Sequence, residues 1–217
     1  SLVVVTDLDD ARLARAEQIL SVEKAAAKGV KLVYLNTGKL DDPVAHMMEL
    51  TGGKGYNDVF VYAPVKPVVE MGDKLLARDG CLNFFAGPTN PAFSAEFNFY
   101  NVHYGSTHIV GTSGGNTDDM REALRMMESG DINPAAMITH IGGMNTVVDT
   151  VLRLPEIKGG KKLIYTNKDM PLVAISDFAE LGKNDSFYAD LAEICSRHNE
   201  LWCFEAEQYV LRNAKDI

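Results

Sequence analysis

The sequence predicts an α/β domain built on a doubly wound parallel sheet. Short apolar runs alternate with helical patterns almost from end to end. Strands separated by helices of about ten residues require right-handed crossovers and hence a parallel sheet. The runs are apolar on both faces, as a sheet covered by helices on both sides demands.

The elements follow in order. Leu2 to Thr6 reads as a strand, and Asp9 or Asp10 as the cap of a helix that carries Leu13, Ala16 and Leu20 on one face. Lys31 to Leu35 is the next strand. Asp42 followed by Pro43 opens a short helix through Val44, Met47 and Met48, with proline at its favoured first position. Asp58 to Ala63 is a strand rich in aromatic and β-branched residues. Val68, Val69, Gly72, Leu75 and Leu76 form a helical stripe that Gly80 is expected to cap. Strands are expected at Cys81 to Ala86 and His108 to Gly111. Thr117 is expected to cap a helix that buries Met120, Ala123, Leu124 and Met127 and ends at Gly130.

Two regions break the pattern. Between Gly80 and Thr117 the only formal charge is Glu96. That stretch is either a buried strand with its loops or the neutral wall of a ligand cleft at the carboxyl ends of the strands. From Asn167 onward there are ten acidic against five basic residues. This tail reads as two amphipathic helices, one carrying Tyr188, Leu191, Ile194 and Cys195, the other Trp202, Ala206, Tyr209 and Val210. The organisation is therefore a sheet domain over 1–166 and a helical extension over 167–217.

Composition narrows the function. The net charge of −9 argues against nucleic acid as a partner, because duplex binding wants a basic face. No apolar run approaches the roughly 20 residues that span a bilayer. Cys81, Cys195 and Cys203 are odd in number and lack metal-ligand spacing, which suggests reduced thiols in a cytoplasmic protein. The five histidines show no H-x-x-x-H or H-x-H spacing, so no metal site is expected within these residues. There is no G-x-S-x-G elbow. The first residues already read as a buried strand, which suggests a chain cut or processed from a longer domain.

Asp7 is the most informative residue. A carboxylate at the end of a parallel strand can accept hydrogen bonds from both hydroxyls of an adenosine ribose and repels the extra phosphate of NADP. The alternative is a loop aspartate that merely precedes a helix, and methyltransferases of the same fold class place an acid there too. The partner motif, G-x-G-x-x-G about 20 residues upstream, does not occur. Gly53-Lys54-Gly55-Tyr56-Asn57-Asp58 lacks the third glycine and precedes a strand, so it reads as a turn. If Asp7 meets ribose, the glycine loop and its strand lie upstream of Ser1.

The order of segments resembles the coenzyme domain of medium-chain, zinc-type alcohol and polyol dehydrogenases from Leu2 to about Thr166. Val5-Thr6-Asp7 followed by Arg12-Leu13-Ala14-Arg15-Ala16 resembles the family's second sheet strand and next helix. Gly111-Thr112-Ser113-Gly114-Gly115 resembles its nicotinamide-side loop. Pro134 with Ile138-Thr139-His140 resembles its proline and Ile-Thr-His strand, and Gly160 to Tyr165 its last strand. Asn83 to Pro88, Gly111 to Asp119 and the helical tail are similar to the L-sorbose 1-phosphate reductase branch.

The resemblance implies a Rossmann-like sheet that binds NAD. Asp7 would hold the adenosine ribose with Arg12 flanking it, and Ala63 and Pro64 would line the adenine side. The backbone around Ala86, Thr112 and Gly114 would meet the nicotinamide carboxamide, and Lys161 would neutralise the pyrophosphate. Lys66, Lys161 and Lys162 are candidates for a substrate phosphate, though surface lysines are usually solvated. His140 is a structural landmark. The family's zinc ligands, including a Gly-His-Glu run, do not occur here, so zinc and the catalytic residues are expected only in a region N-terminal to Ser1. This chain alone is then expected to be inactive. The whole protein would move hydride between NAD(H) and a polyol or ketose, such as a sugar phosphate, and would form homo-oligomers. A zinc-free quinone-reductase-like enzyme and a non-catalytic nucleotide-binding or interaction module are the rival readings.

Overall fold

The structure, a computed structural model, describes every residue from Ser1 to Ile217 and divides the chain into two units, Ser1–Arg121 and Glu122–Ile217. The position expected to separate sheet domain from helical extension, after residue 166, falls inside the second unit.

In the first unit, β1 (Leu2–Asp7) leads into α1 (Asp10–Ile19) and α2 (Val22–Ala26), and β2 (Lys31–Asn36) returns parallel to β1 with Asp7 opposite Asn36. Asp9 starts α1 by accepting the amides of Ala11 and Arg12 at 2.8 and 3.4 Å. In α3 (Pro43–Leu50), Asp42 accepts the Ala45 amide. The chain continues through β3 (Tyr56–Val61), α4 (Lys66–Lys74), β4 (Leu76–Phe84), α5 (Phe99–Tyr104) and β5 (His108–Gly111), and β3, β4 and β5 form one parallel sheet. Its covered face is packed by α4: Val61, Val69 and Leu82 are buried together, with Val59, Phe84, Phe93 and Phe97 against them. Gly55, between α3 and β3, has φ +78° and backs onto β4 so closely that a Cβ would lie 2.7 Å from the Ala77 nitrogen.

Then α6 (Thr117–Ser129) carries the chain from the first unit into the second. There, β6 (Ile138–Gly143), α7 (Val147–Leu152) and β7 (Lys161–Tyr165) are followed by the short β8 (Val173–Ala174). The helices α8 (Phe178–Leu181), α9 (Ser186–Ser196) and α10 (Phe204–Asn213) complete it. β6 pairs parallel with β7 and antiparallel with β8. Phe178, Leu191, Cys195, Ala206 and Val210 are essentially inaccessible around Trp202 and Tyr165. Tyr188, Leu191, Ile194, Cys195, Ala206 and Val210, expected on the two tail helices, join this core, while Trp202 enters it from the segment before α10 and Tyr209 packs against it half-buried.

Several local expectations are corrected. The helix before Gly80 stops at Lys74, and Leu76 already pairs with Tyr56. Gly80 lies within β4, where the register jumps to Asp58–Cys81 across a bulge that holds Asp79 at φ 59°. β3 runs from Tyr56 to Val61 and stops short of Ala63. The helix at Thr117 is capped by Asn116, whose Oδ1 accepts the amides of Asp118 and Asp119 while Asp119 Oδ2 accepts the Asn116 amide in return. Finally, Met120 and Leu124 are 62% exposed, because an amphipathic period defines an apolar face without supplying the surface that covers it. The second face of the sheet is likewise uncovered, with Phe60, Tyr62 and Val110 exposed.

Candidate functional site

Parallel strands deliver their carboxyl ends to one edge, and the candidate residues of the first unit gather there. Asp7 ends β1, Ala63 and Pro64 follow β3, Ala86 follows β4, and Thr112 and Gly114 follow β5. The register places Val61, Phe84 and Gly111 side by side, so the three loops after them emerge together. Lys161 instead begins β7 in the second unit.

The Asp7 carboxylate is half-buried and partly occupied. Its Oδ1 accepts the amides of Leu8 and Asp9 at 2.7 and 2.9 Å, and its Oδ2 lies 3.4 Å from Nη1 of Arg12. Burial works to raise its pKa, but the Asp9 and Leu8 amides and the Arg12 guanidinium together hold it below the usual aspartate value. The group is thus a fixed anion with Oδ2 turned toward a side chain that is 73% exposed and free to yield. That arrangement fits a ribose diol, which needs a charged acceptor at the strand end.

The remaining candidates divide. The Ala86 amide already donates to the Val61 carbonyl at 3.0 Å, so only its carbonyl is available to a ligand. Thr112 and Gly114 are exposed, and Gly114 has φ +69° with open space around its α-carbon, room for close backbone approach. Pro64 is exposed and Ala63 half-buried. Lys162 does not reach outward: its ammonium donates to the carbonyls of Gly160 at 2.8 Å, Ile157 at 3.1 Å and Lys158 at 3.4 Å. Lys66 pairs with Glu96 and Glu70. Of the three lysines considered for a phosphate, two therefore have structural partners. His140 is held by the Thr139 hydroxyl 2.9 Å from Nδ1. His108 pairs with Asp79, and the His103 ring meets Tyr104 edge-on. No group of three or more His, Cys, Asp or Glu side chains is disposed to hold a metal ion.

Two features were not apparent from sequence. The first is Asn36, whose Nδ2 donates to the Leu8 carbonyl and to Asp10 while its Oδ1 accepts the Gly38 amide. An asparagine two residues before a glycine at a strand end was the available signal. The second is a cleft of about 1020 Å³, lined on one side by Ser1 to Thr6 and on the other by residues 54–62. β1 bonds only to β2, and β3 only to β4. A six-residue strand at ordinary strand and sheet spacings occupies roughly 950 Å³, so the cleft has room for one more strand.

The chain matches the family model described as zinc-binding dehydrogenase over residues 2–129. It is 52% identical to a mannitol-1-phosphate 5-dehydrogenase of Aliivibrio fischeri over 96% of this chain and 49% of that one. It is 42% identical to an L-sorbose 1-phosphate reductase of Klebsiella pneumoniae over 100% and 50%. The chain thus spans about half the length of these curated relatives. Among solved structures, the 2R,3R-butanediol dehydrogenase of Bacillus subtilis superposes with a TM-score of 0.62 at 18% identity, covering 76% of this chain and 44% of that one. The fold, the strand-end edge and the family match agree: the chain belongs to the zinc-binding dehydrogenase family and carries its coenzyme-binding part.

Proposed function

We propose that the protein containing this chain transfers hydride between NAD(H) and a polyol or ketose phosphate, and that this chain supplies the adenosine side of the coenzyme site. The observation that carries this reading is the Asp7 carboxylate, fixed by two amides at the end of β1 and presenting Oδ2 beside an exposed Arg12. When bound, NAD would supply the hydride carrier. Asp7 would orient the adenosine ribose, the loops after β3, β4 and β5 would flank the rest of the dinucleotide, and Gly114 would let the backbone approach it. The cleft between β1 and β3 adds support, since it runs along β1 as far as Thr6, the residue before Asp7, and has the volume of the strand that a glycine-rich phosphate loop would follow. The relatives named for mannitol 1-phosphate and L-sorbose 1-phosphate point to a sugar phosphate as substrate. Zinc, the catalytic groups and homo-oligomer formation belong, in this reading, to the whole protein.

The test is coenzyme binding by the full-length protein, followed by NADH oxidation with ketose phosphates. Asp7→Ala should weaken NADH binding by roughly tenfold or more, the effect of losing hydrogen bonds to a charged group. Tighter binding of S-adenosylmethionine than of NADH, or an Asp7→Ala protein with unaltered NADH affinity, would sink the proposal.

A further inference from the structure

Asp10 occupies the first turn of α1, where an acidic residue ordinarily serves the exposed amides. It does not do so here. Asp9 takes the Ala11 and Arg12 amides, and both Asp10 oxygens reach across to the neighbouring strand end instead. Its Oδ1 accepts from Asn36 Nδ2 at 2.7 Å, and its Oδ2 lies 2.7 Å from the Lys39 ammonium. Asn36 is the register partner of Asp7, so this tether places the Asp10 charge beside the proposed ribose acceptor. Lys39 and Asn36 both hold the Asp10 carboxyl below the usual aspartate range, which keeps it charged at neutral pH.

The chemistry of the strand end follows from its charges. Arg12 lies beside Asp7 and Lys39 beside Asp10, and each cation is engaged by acids: Arg12 by Asp7 and Asp9, Lys39 by Asp10. A 2′-phosphate on the adenosine ribose would need such cations, whereas a free 2′-hydroxyl needs only the Asp7 carboxylate. Building on the reading of Asp7 as ribose acceptor, we infer that Asp10 is a second determinant of coenzyme choice. Tethered by Asn36, it holds Lys39 and adds a fixed negative charge, so that the strand end admits NAD(H) and turns away NADP(H). Lys39 is the side chain that takes the 2′-phosphate once Asp10 is neutral.

The experiment is fluorescence titration of the full-length protein with NADH and NADPH. Asp10→Asn preserves the acceptor for Asn36 and removes only the charge. It should lower the ratio of the NADPH to the NADH dissociation constant by about fivefold, the scale of one exposed ion pair. Lys39→Ala added to Asp10→Asn should restore the original ratio. A ratio unmoved by Asp10→Asn, or a fall that survives removal of Lys39, overturns the inference. Absence of NADH binding by the unaltered protein would bring down the ribose reading itself, and this inference with it.

Discussion

Lys168, only 3% exposed, places its ammonium 2.6 Å from the Asp216 carboxylate, although Asp216 is almost at the end of the chain and itself exposed. The Ala214 carbonyl accepts from the same ammonium at 3.1 Å, and Lys215 pairs with Asp169 alongside. The last residues thereby close over the turn after β7. A buried ammonium that loses its carboxylate keeps its desolvation cost without the compensating attraction. Asp216→Ala should therefore destabilise the protein by about 2 kcal/mol in denaturant unfolding, whereas Lys168→Met, which removes the charge to be buried, should lose less. Equal losses in the two variants would show that the pair has no such asymmetry.

Cys195 sits within the core of the second unit with no accessible surface. Burial, reinforced by the nearby Cys203 and Glu200, pushes its thiol up to about 12. Maleimide labelling at neutral pH, mapped by mass spectrometry, should modify the half-exposed Cys81 and Cys203 first and reach Cys195 only as the unit unfolds. Labelling of Cys195 at the rate of Cys81 would mean that this core opens locally.

Much of the fold was legible because periodicity reports burial directly. Leu191, Cys195, Ala206 and Val210, placed on apolar stripes by spacing alone, have no accessible surface. Asp9 and Asp42 cap the helices expected of them because an acid before a helical run has little other local role. What could not be read depends on partners distant in sequence. The bulge at Asp79 is set by the alignment of β4 on β3, and Gly80, which looks like a helix stop, serves that bulge. The two-residue β8 and four-residue α8 are too short to show a period. In the candidate site, the strand-end position of Asp7 was legible from sequence. The Asn36 tether and the engagement of Lys162 by three carbonyls were not, since both are side-chain geometries that only the folded loops create.

The free edges of β1 and β3 predict behaviour for the 217-residue chain when it is produced by itself. Each edge presents unpaired backbone groups, and the residues beside them, Leu2 to Val5 and Val59 to Val61, are apolar. Such edges recruit strands from other molecules. Light scattering should show concentration-dependent association of this chain, and Val4→Lys on β1 should reduce it. A chain that stays monomeric at high concentration would mean that the cleft closes on itself.

His140 gives the second unit a sensitivity to acid. Burial lowers its pKa below 6.5, the Lys162 charge lowers it further, and Asp177 only partly opposes them. The unfolded chain then binds a proton more readily than the folded one between the depressed value and 6.5. Stability must rise with pH across that window, and conversely fall as pH drops below about 6.5. His140→Gln, which keeps an acceptor for the Thr139 hydroxyl but cannot take up a proton, should flatten that part of the profile while lowering the plateau slightly. Thermal melts between about pH 5 and 8 would show it. If the variant retains the full acid-side slope, the proton uptake belongs to another group, and the lowered His140 pKa has no bearing on stability.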